Sequence, residues 1–433
     1  MKIKFKIIFF LILLFSLFVW VKNSQAVDIN FTKNFGSSWA FIDKPNNYDY
    51  EPSAMVDNDG TWKVWTCGGE IINGEGGDSV YLNAFDTAGQ YIPSLNNISV
   101  LRHSTRDTDE DGMHACNPSV IKASYPSIEN GREMYKMYYE CAEKAYNNQT
   151  GLHQGGFLEI CHAVSDDGVN WRKFNADYWQ LYGTYGNSDT PPTPVIKISD
   201  SLKQNCNWSF HDGKYWIDSS NPSMGKYCSD GIYGVGHPYA IYMNTPSGRQ
   251  VWLYYYDSGA SPGSEAMYLA KSWDGFNFYP PEKTNLYFPP HIKYLEIPIG
   301  NNPGVFIGLY ANGLGAVGPA NYFAYSFDGL NWIFPNDAAH AIGMAMSNLC
   351  VAPGASDIVT DKYGIFYSPI VNIFSNEGLM GMWDGVKPGD SCYSPQEDYG
   401  RGSTWAIHLI QGQFSWITSD TTSPVAPQGL SVQ

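Results

Sequence analysis

Ser165-Asp166-Asp167-Gly168-Val169-Asn170-Trp171 is the stretch that decides the fold, because the chain repeats it. It recurs as Ser272-Trp273-Asp274-Gly275-Phe276-Asn277-Phe278 and as Ser326-Phe327-Asp328-Gly329-Leu330-Asn331-Trp332. The shared pattern is Ser-x-Asp-Gly-x-Asn-aromatic. Each copy follows a strand-like run: Ile160 to Val164, Ala266 to Ala270, and Tyr322 to Tyr325. Asp-Gly between alternating apolar runs is a hairpin signal, since Gly accepts the positive φ of a tight turn at no steric cost. Three hairpins with one turn chemistry predict a repeat architecture, and an all-β repeat marked by aromatics predicts a propeller.

Upstream of the hairpins lies a second repeated unit: a short strand starting near a proline, a turn, then an aromatic strand. The first reads Tyr50-Glu51-Pro52-Ser53-Ala54-Met55-Val56, the turn Asp57-Asn58-Asp59-Gly60, then Thr61 to Thr66. The second is Cys116-Asn117-Pro118 to Ile121 with Glu133 to Tyr139, and the third Gly236-His237-Pro238 to Tyr242 with Gln250 to Tyr256. A weaker fourth is Tyr294 to Ile299 with Val305 to Ala311. The fifth is Val351 to Val359 with Tyr363 to Tyr367 and an outer strand near Thr404 to Ile410. The count predicts a five-bladed β-propeller of four-stranded antiparallel blades over residues 27–418. Phe31 to Asp43 would supply a strand that closes the ring, and closure hides sheet edges.

Antiparallel order separates the two faces. Strand one leaves one rim and strand two returns to it, so the Asp-Gly turns between strands three and four fall on the opposite face. The loops from strand two to strand three and the connections between blades belong to the first rim. That rim collects Asp49, Glu51, Glu70, His114, Asn117, Glu140, His237 and Asp257. The turns themselves read as structural punctuation.

The two ends are read apart from the fold. Lys2, Lys4 and Lys6, the apolar run Ile7 to Val21 and Ser24-Gln25-Ala26 form a secretory signal peptide over residues 1–26. Its apolar run is short for a stable anchor, and no later stretch is apolar enough to span a bilayer. The expected location is outside the cytoplasm, secreted or at the cell surface. Residues 419–433 form a Pro/Ser/Thr linker that resembles the lead-in to a fibronectin type III or similar module, so C-terminal modules of a longer protein are expected partners. The formal net charge is −16, with four of the lysines inside the leader, which excludes nucleic acid as a partner. Aromatics make up 15% of the chain, with 31 Tyr and 14 Trp; flat rings with polar edges suit sugars as well as sheet interfaces. All eight cysteines follow the leader, so disulfides are expected. Cys206 with Cys228 brackets one loop-like insertion, and Cys141 with Cys161 joins neighbouring strands of a hairpin. The other four pairings stay open.

Five blades with x-Pro strand starts and Ser-x-Asp-Gly-x-Asn-Trp turns resemble the five-bladed propeller glycoside hydrolases, among them families 43, 62, 32, 117 and 130. The resemblance spans nearly all of the exported chain. The sialidase Asp-box carries an extra residue between Asp and Gly, which favours five blades over six. Family 43-like enzymes carry an Asp base on blade one, a pKa-setting Asp on blade two and a Glu acid on blade three. The matching positions here are Glu51, Asn117 and His237, so the chain departs from that pattern at each. Hydrolysis needs one carboxylate to activate water or attack, and one protonated group for the leaving oxygen. Glu51 is the candidate for the first; Glu140, Asp257 or His237 for the second. A histidine acid is chemically suited, with an ordinary pKa of ~6.5, and resemblance to family 117 permits one. Asn117, His114 and Trp65 are expected to contact the sugar.

Asp107-Thr108-Asp109-Glu110-Asp111-Gly112 is a second constellation. Alternating Asp before a Gly turn can aim carboxylates at one Ca²⁺, with Asp107, Asp109 and Asp111 as ligands, but the EF-hand glutamate position is Pro118. A partial calcium loop and a solvated acidic loop both fit. The sequence shows no organic cofactor motif. The expected function is hydrolysis of a poly- or oligosaccharide; the alternative is a non-catalytic glycan-binding or adhesive propeller.

Overall fold

The computed structural model describes residues 27–33, 39–42, 50–72, 75–87, 90–125, 131–151, 153–218, 228, 234–259, 264–286, 291–296, 298–299, 301–312, 320–334, 356–359, 379–386 and 405–418. The leader 1–26, the linker 419–433, Cys350, Cys392 and the expected strand Tyr363 to Tyr367 lie outside them. Among the described residues the chain is all-β, with two short helices, α1 (Ala176–Tyr182) and α2 (Asp200–Asn205). No described helix is long and apolar enough to cross a membrane.

Strands β1 (Val27–Lys33) and β2 (Trp39–Ile42) open the described chain, and their partner comes last. The first antiparallel meander is β3 (Tyr50–Val56), β4 (Trp62–Ile72), β5 (Glu75–Phe85) and β6 (Ile98–Leu101). The second begins with β7 (His114–Ala123) and β8 (Met134–Ala142). An excursion through β9 (Lys144–Asn147) and β10 (His153–Gly155) precedes its outer strands, β11 (Glu159–Ser165) and β12 (Trp171–Lys173). A single parallel bridge, Asp78 to His114, joins β5 to β7. After the helices, β13 (Ser209–His211) and β14 (Lys214–Ile217) add to the excursion, giving a small sheet of order β10-β9-β14-β13.

The third meander is β15 (Val235–Thr245), β16 (Gly248–Asp257), β17 (Ala266–Ser272) and β18 (Glu282–Lys283). The fourth is β19 (His291–Leu295), β20 (Val305–Asn312), β21 (Ala320–Ser326) and β22 (Trp332–Ile333). Its inner strand runs over His291–Leu295, earlier than the expected Tyr294 to Ile299. The last sheet is β23 (Ser356–Val359), β24 (Leu379–Val386) and β25 (Trp405–Thr418), with β1 and β2 both paired to β25. The N-terminal segment therefore completes the C-terminal sheet. Inner strands also touch across sheets: β3 lies against β7, β7 against β15, β15 against β19, β19 against β23, and β23 against β3.

Between successive sheets the core is aromatic and aliphatic. Trp65, Val80, Leu82, Met137, Tyr139 and Trp171 fill the first interface, and Tyr239, Tyr254, Leu269, Phe306 and Trp332 the third. Burying one such ring stabilises by roughly 1.5–3 kcal/mol. The Asp-Gly turns complete these interfaces. In each, Ser Oγ accepts the Gly N–H at 2.9 Å, and the Asp carboxylate accepts the N–H groups of the next two residues (Val169 and Asn170 for Asp167). The glycines sit at φ 77°, 82° and 78°. Their carbonyls then accept from an aromatic of the preceding sheet: Trp65 Nε1 to Gly168 O at 3.0 Å, Tyr138 OH to Gly275 O at 2.8 Å and Tyr254 OH to Gly329 O at 3.0 Å. One turn motif thus docks the second, third and fourth meanders each onto its predecessor. The described disulfides are Cys206–Cys228 and Cys141–Cys161, as expected, and Cys67–Cys116, which joins β4 to β7.

Candidate active site

Three residues heading inner strands share one backbone geometry. Glu51, Asn117 and His237 have φ of 48°, 48° and 49°, a left-handed conformation that non-glycine residues seldom adopt. Each precedes a proline, whose ring crowds the right-handed helical conformation of the residue before it. At each the strand register slips: between Tyr50 and Ser53, between Cys116 and Ser119, and between Gly236 and Tyr239. The x-Pro step is therefore a β-bulge, and a bulge re-aims a side chain out of the regular alternation. Ser53 and Ser119, two positions on, accept the N–H of Val120 and Ala240 at 2.9 Å, fastening each inner strand to the next.

The re-aimed side chains converge. His237 Nδ1 lies 2.9 Å from Glu51 Oε1 and 3.9 Å from Glu140 Oε1. Asn117 Nδ2 donates to Glu140 Oε2 at 2.5 Å, and His114 Nε2 stands 3.3 Å from that oxygen. His114 Nδ1 is 2.7 Å from Asp78 Oδ2, and the backbone N–H of His237 donates to Glu140 Oε1. Asp78, His114, Glu140, His237 and Glu51 form one continuous chain of alternating carboxylate and imidazole. Glu51, Asn117 and Glu140 are buried, whereas the His237 side chain is 34% exposed. His237 is the most exposed member of the chain, ahead of Asp78 at 25%.

Electrostatics assign different states to these groups. Burial alone would raise the Glu140 pKa, but the charge of His237, then the hydrogen bond and charge of His114, hold it below the ordinary carboxylate value. Burial would lower His114, yet its bonds to Asp78 and Glu140 outweigh that and raise it to about 10. Glu140 is thus an anion at neutral pH, facing a protonated His114. A carboxylate held in this way is unsuited to donate a proton. Gly236 makes the arrangement possible: a Cβ there would stand 2.5 Å from Glu140 Oε1.

The expected site residues divide clearly. Glu51, His114, Asn117, Glu140 and His237 are brought together. Asp257 is not: it pairs with Val235 at the end of β16, its carboxylate accepts from Gly259 N at 2.7 Å, and burial raises its pKa. Trp65 is fully buried in the interface between the first two sheets, so its ring faces core rather than solvent. The three aspartates of the acidic loop do not converge. Asp107 pairs with Lys144 and Tyr146, Asp109 with Arg106 and Ser104, and Asp111 with the buried Lys173 at 2.6 Å. Each of the three carboxylates is thus paired with a separate lysine or arginine. Among the described residues, one potential ligand trio closes within 4.8 Å, Cys67, Asp78 and Cys116, and its sulfurs are already joined to each other.

Sequence reasoning missed Asp78 and Gly236. Asp78 lies near the start of β5, paired with Gly69 of β4, and Gly236 directly precedes the bulged His237. A separate cleft of about 1030 Å³ runs along the outer strands of the first two sheets, lined by Ser99, Arg102, Asn187 and the turn residues Asp167 and Asn170. None of the converging groups lines it.

No protein-family model matches the sequence, and no curated protein matches it. Solved structures do. A protein described as a glycoside hydrolase superposes with a TM-score of 0.50 at 12% identity, covering 92% of this chain and 96% of that one. A family 117 glycoside hydrolase from the marine bacterium Zobellia galactanivorans matches at 0.44 and 13% identity over 90% of this chain and 92% of its own. A GH43_1 enzyme from Xanthomonas citri, complexed with xylotriose, matches at 0.44 and 12% over 88% and 90%. At such identity the likeness is one of fold: the chain is similar in its all-β architecture to a glycoside hydrolase.

Proposed function

We propose that this chain is an exported glycoside hydrolase built as a five-bladed propeller, with His237 as its proton-transferring group. Five antiparallel meanders, the first two continuous through the Asp78–His114 bridge, whose inner strands touch in a closed cycle support the propeller. Three described disulfides and the basic-apolar-small N-terminus support export. The observation that carries the catalytic reading is the half-buried His237 imidazole, with Nδ1 2.9 Å from Glu51 Oε1 and its backbone N–H donating to Glu140.

In this reading Glu51 sets the tautomer and ring orientation, which leaves Nε2 to face the glycosidic oxygen. Protonated His237 delivers its proton to the leaving oxygen as the glycosidic C–O bond breaks. Water supplies the hydroxyl to the anomeric carbon, and its proton returns the imidazole to its starting state. Glu140, fixed by Asn117 and His114, keeps a negative charge beside the imidazolium and the developing oxocarbenium ion. Asp78 holds His114 in turn. The substrate class is a neutral oligo- or polysaccharide, since an anionic one would meet three carboxylates.

A panel of 4-nitrophenyl glycosides together with reducing-sugar release from polysaccharides tests this. Turnover by the unaltered protein, with polysaccharide hydrolysis lost in His237→Asn, is the expected result. Glycan binding with no turnover of any substrate would favour the non-catalytic glycan-binding propeller.

A further inference from the structure

The small sheet β10-β9-β14-β13 plays no part in that chemistry, yet its position is informative. It is built from two connections, one between β8 and β11 and one between β12 and β15. Both leave the meander at the rim where Glu140 and His237 stand: Glu140 is two residues from the end of β8, and His237 two from the start of β15. Strand β9 begins two residues after β8 ends, so the sheet continues outward from the site itself. Along an extended chain Tyr146 lies roughly 20 Å beyond Glu140, a span of several sugar units.

This sheet carries aromatic side chains that the core does not absorb. On one face Tyr146, Trp216 and His211 form a row: Tyr146 and Trp216 centroids are 5.6 Å apart, and the His211 and Trp216 rings stack at 5.0 Å, inclined by 3°. The register places them together, with Trp216 opposite Tyr146 in the parallel pair and Ser209 in the hairpin. At the sheet edge Phe210 is 58% exposed and leans on Tyr215, which stacks on Trp208. All three residues of β13 are exposed, and only Ile217 of β14 is buried. Phe210 and His211 are exposed and Tyr146, Tyr215 and Trp216 half-buried, with Phe210 and Tyr215 on the face opposite the row and Lys214 Nζ 4.1 Å from the Tyr146 centroid; rings clustered at a solvent boundary in this way are characteristic of binding faces. The Cys206–Cys228 disulfide braces the segment that bears them.

We infer that this sheet is a glycan-binding platform, holding the part of a sugar chain that extends outward from His237. The inference rests on the carbohydrate reading of the site. Flat rings flanked by hydrogen-bonding edges match the apolar faces and equatorial hydroxyls of pyranose chains. Continuity with the rim favours that occupant over a protein partner. A polymeric or long oligosaccharide substrate follows, as a monosaccharide glycoside would not reach β14.

Affinity electrophoresis in gels containing xylan, inulin or mannan tests this on the full chain, with variants Trp216→Ala and Phe210→Ser/His211→Ala. Melting curves and solution mass are measured in parallel. The expected result is retardation of the unaltered protein by at least one polymer, weakened about tenfold in each variant, with mass and melting unchanged. Equal retardation of all forms, or retardation of none, overturns the platform. So does a change of mass in place of retardation, which would make the face a protein interface. If Trp216→Ala fails to fold, the double variant at exposed positions decides. Turnover is not read in this experiment, so a chain that binds glycan and hydrolyses none would sink the hydrolase reading and leave the platform standing.

Discussion

Two sets of repeated backbone lie at opposite ends of the strands, and they differ in one respect. At the Asp-Gly turns both backbone and side chains repeat: Ser, Asp, Gly and Asn make the same bonds in three copies. At the x-Pro bulges the backbone repeats with φ near 48°, but the side chains are Glu51, Asn117 and His237. Repetition of side chains is what docking identical sheets requires. Divergence on a repeated backbone is what a binding site requires, since one geometry aims different chemistry at a common point. The strained conformation is kept at the bulges without glycine, which fits a functional rather than a folding role.

The comparison breaks most visibly at Glu51. Glu51→Gln should lower kcat by about 10²–10⁴-fold with little change in glycan affinity, because the amide keeps shape but not charge. Steady-state kinetics and a binding isotherm on the same glycan check this. Gly236→Ala should follow. Its methyl group would push Glu140 off the His237 N–H, with a turnover loss of roughly tenfold or more and a stability loss of roughly 1–3 kcal/mol by denaturant titration.

At the other end, Asp274→Ala removes the acceptor for Phe276 N, Asn277 N and Asn277 Nδ2. The expected outcome is a loss of about 1–2 kcal/mol with kcat unaltered at temperatures where the chain is folded. A turn variant that kills turnover while fully folded would erase the distinction between the two ends.

The smallest effect sharpens the contrast within one strand run. Glu140 is buried among donors and lies below its ordinary pKa. Glu143, three residues on, is raised to about 8 by burial and by the charges of Glu110 and Glu159. A raised carboxyl costs nothing below the unfolded value of 4.5 and its full penalty above the folded value. Glu143→Gln should therefore leave the melting temperature unchanged near pH 4.5 and raise it by pH 9, whereas Glu140→Gln should lower it at pH 7. Melting curves across that range give both signs.

The fold was legible because its punctuation is local: Asp-Gly turns and x-Pro starts are written in consecutive residues. The rim was legible for the same reason, as strand order alone puts Glu51, Asn117, Glu140 and His237 at one end. Depth along a strand was not. Trp65 lies two register steps inside the rim position of Cys67, which is enough to place it in the core. The ion pairs of the acidic loop were not legible, because the partners Lys144 and Lys173 are distant from it in sequence. Asp78 was missed for a related reason: only the bridge between β5 and β7 sets it beside His114.

The central claim is that His237 passes the proton, and leaving-group dependence measures that directly. The unaltered protein and His237→Asn are compared on a 2,4-dinitrophenyl glycoside, whose leaving group needs no proton, and on the alkyl glycoside of the same sugar, whose leaving group does. The account predicts a rate on the first substrate close to that of the unaltered protein and a loss of about 10²-fold or more on the second. Equal losses on both substrates, or none on either, would contradict it.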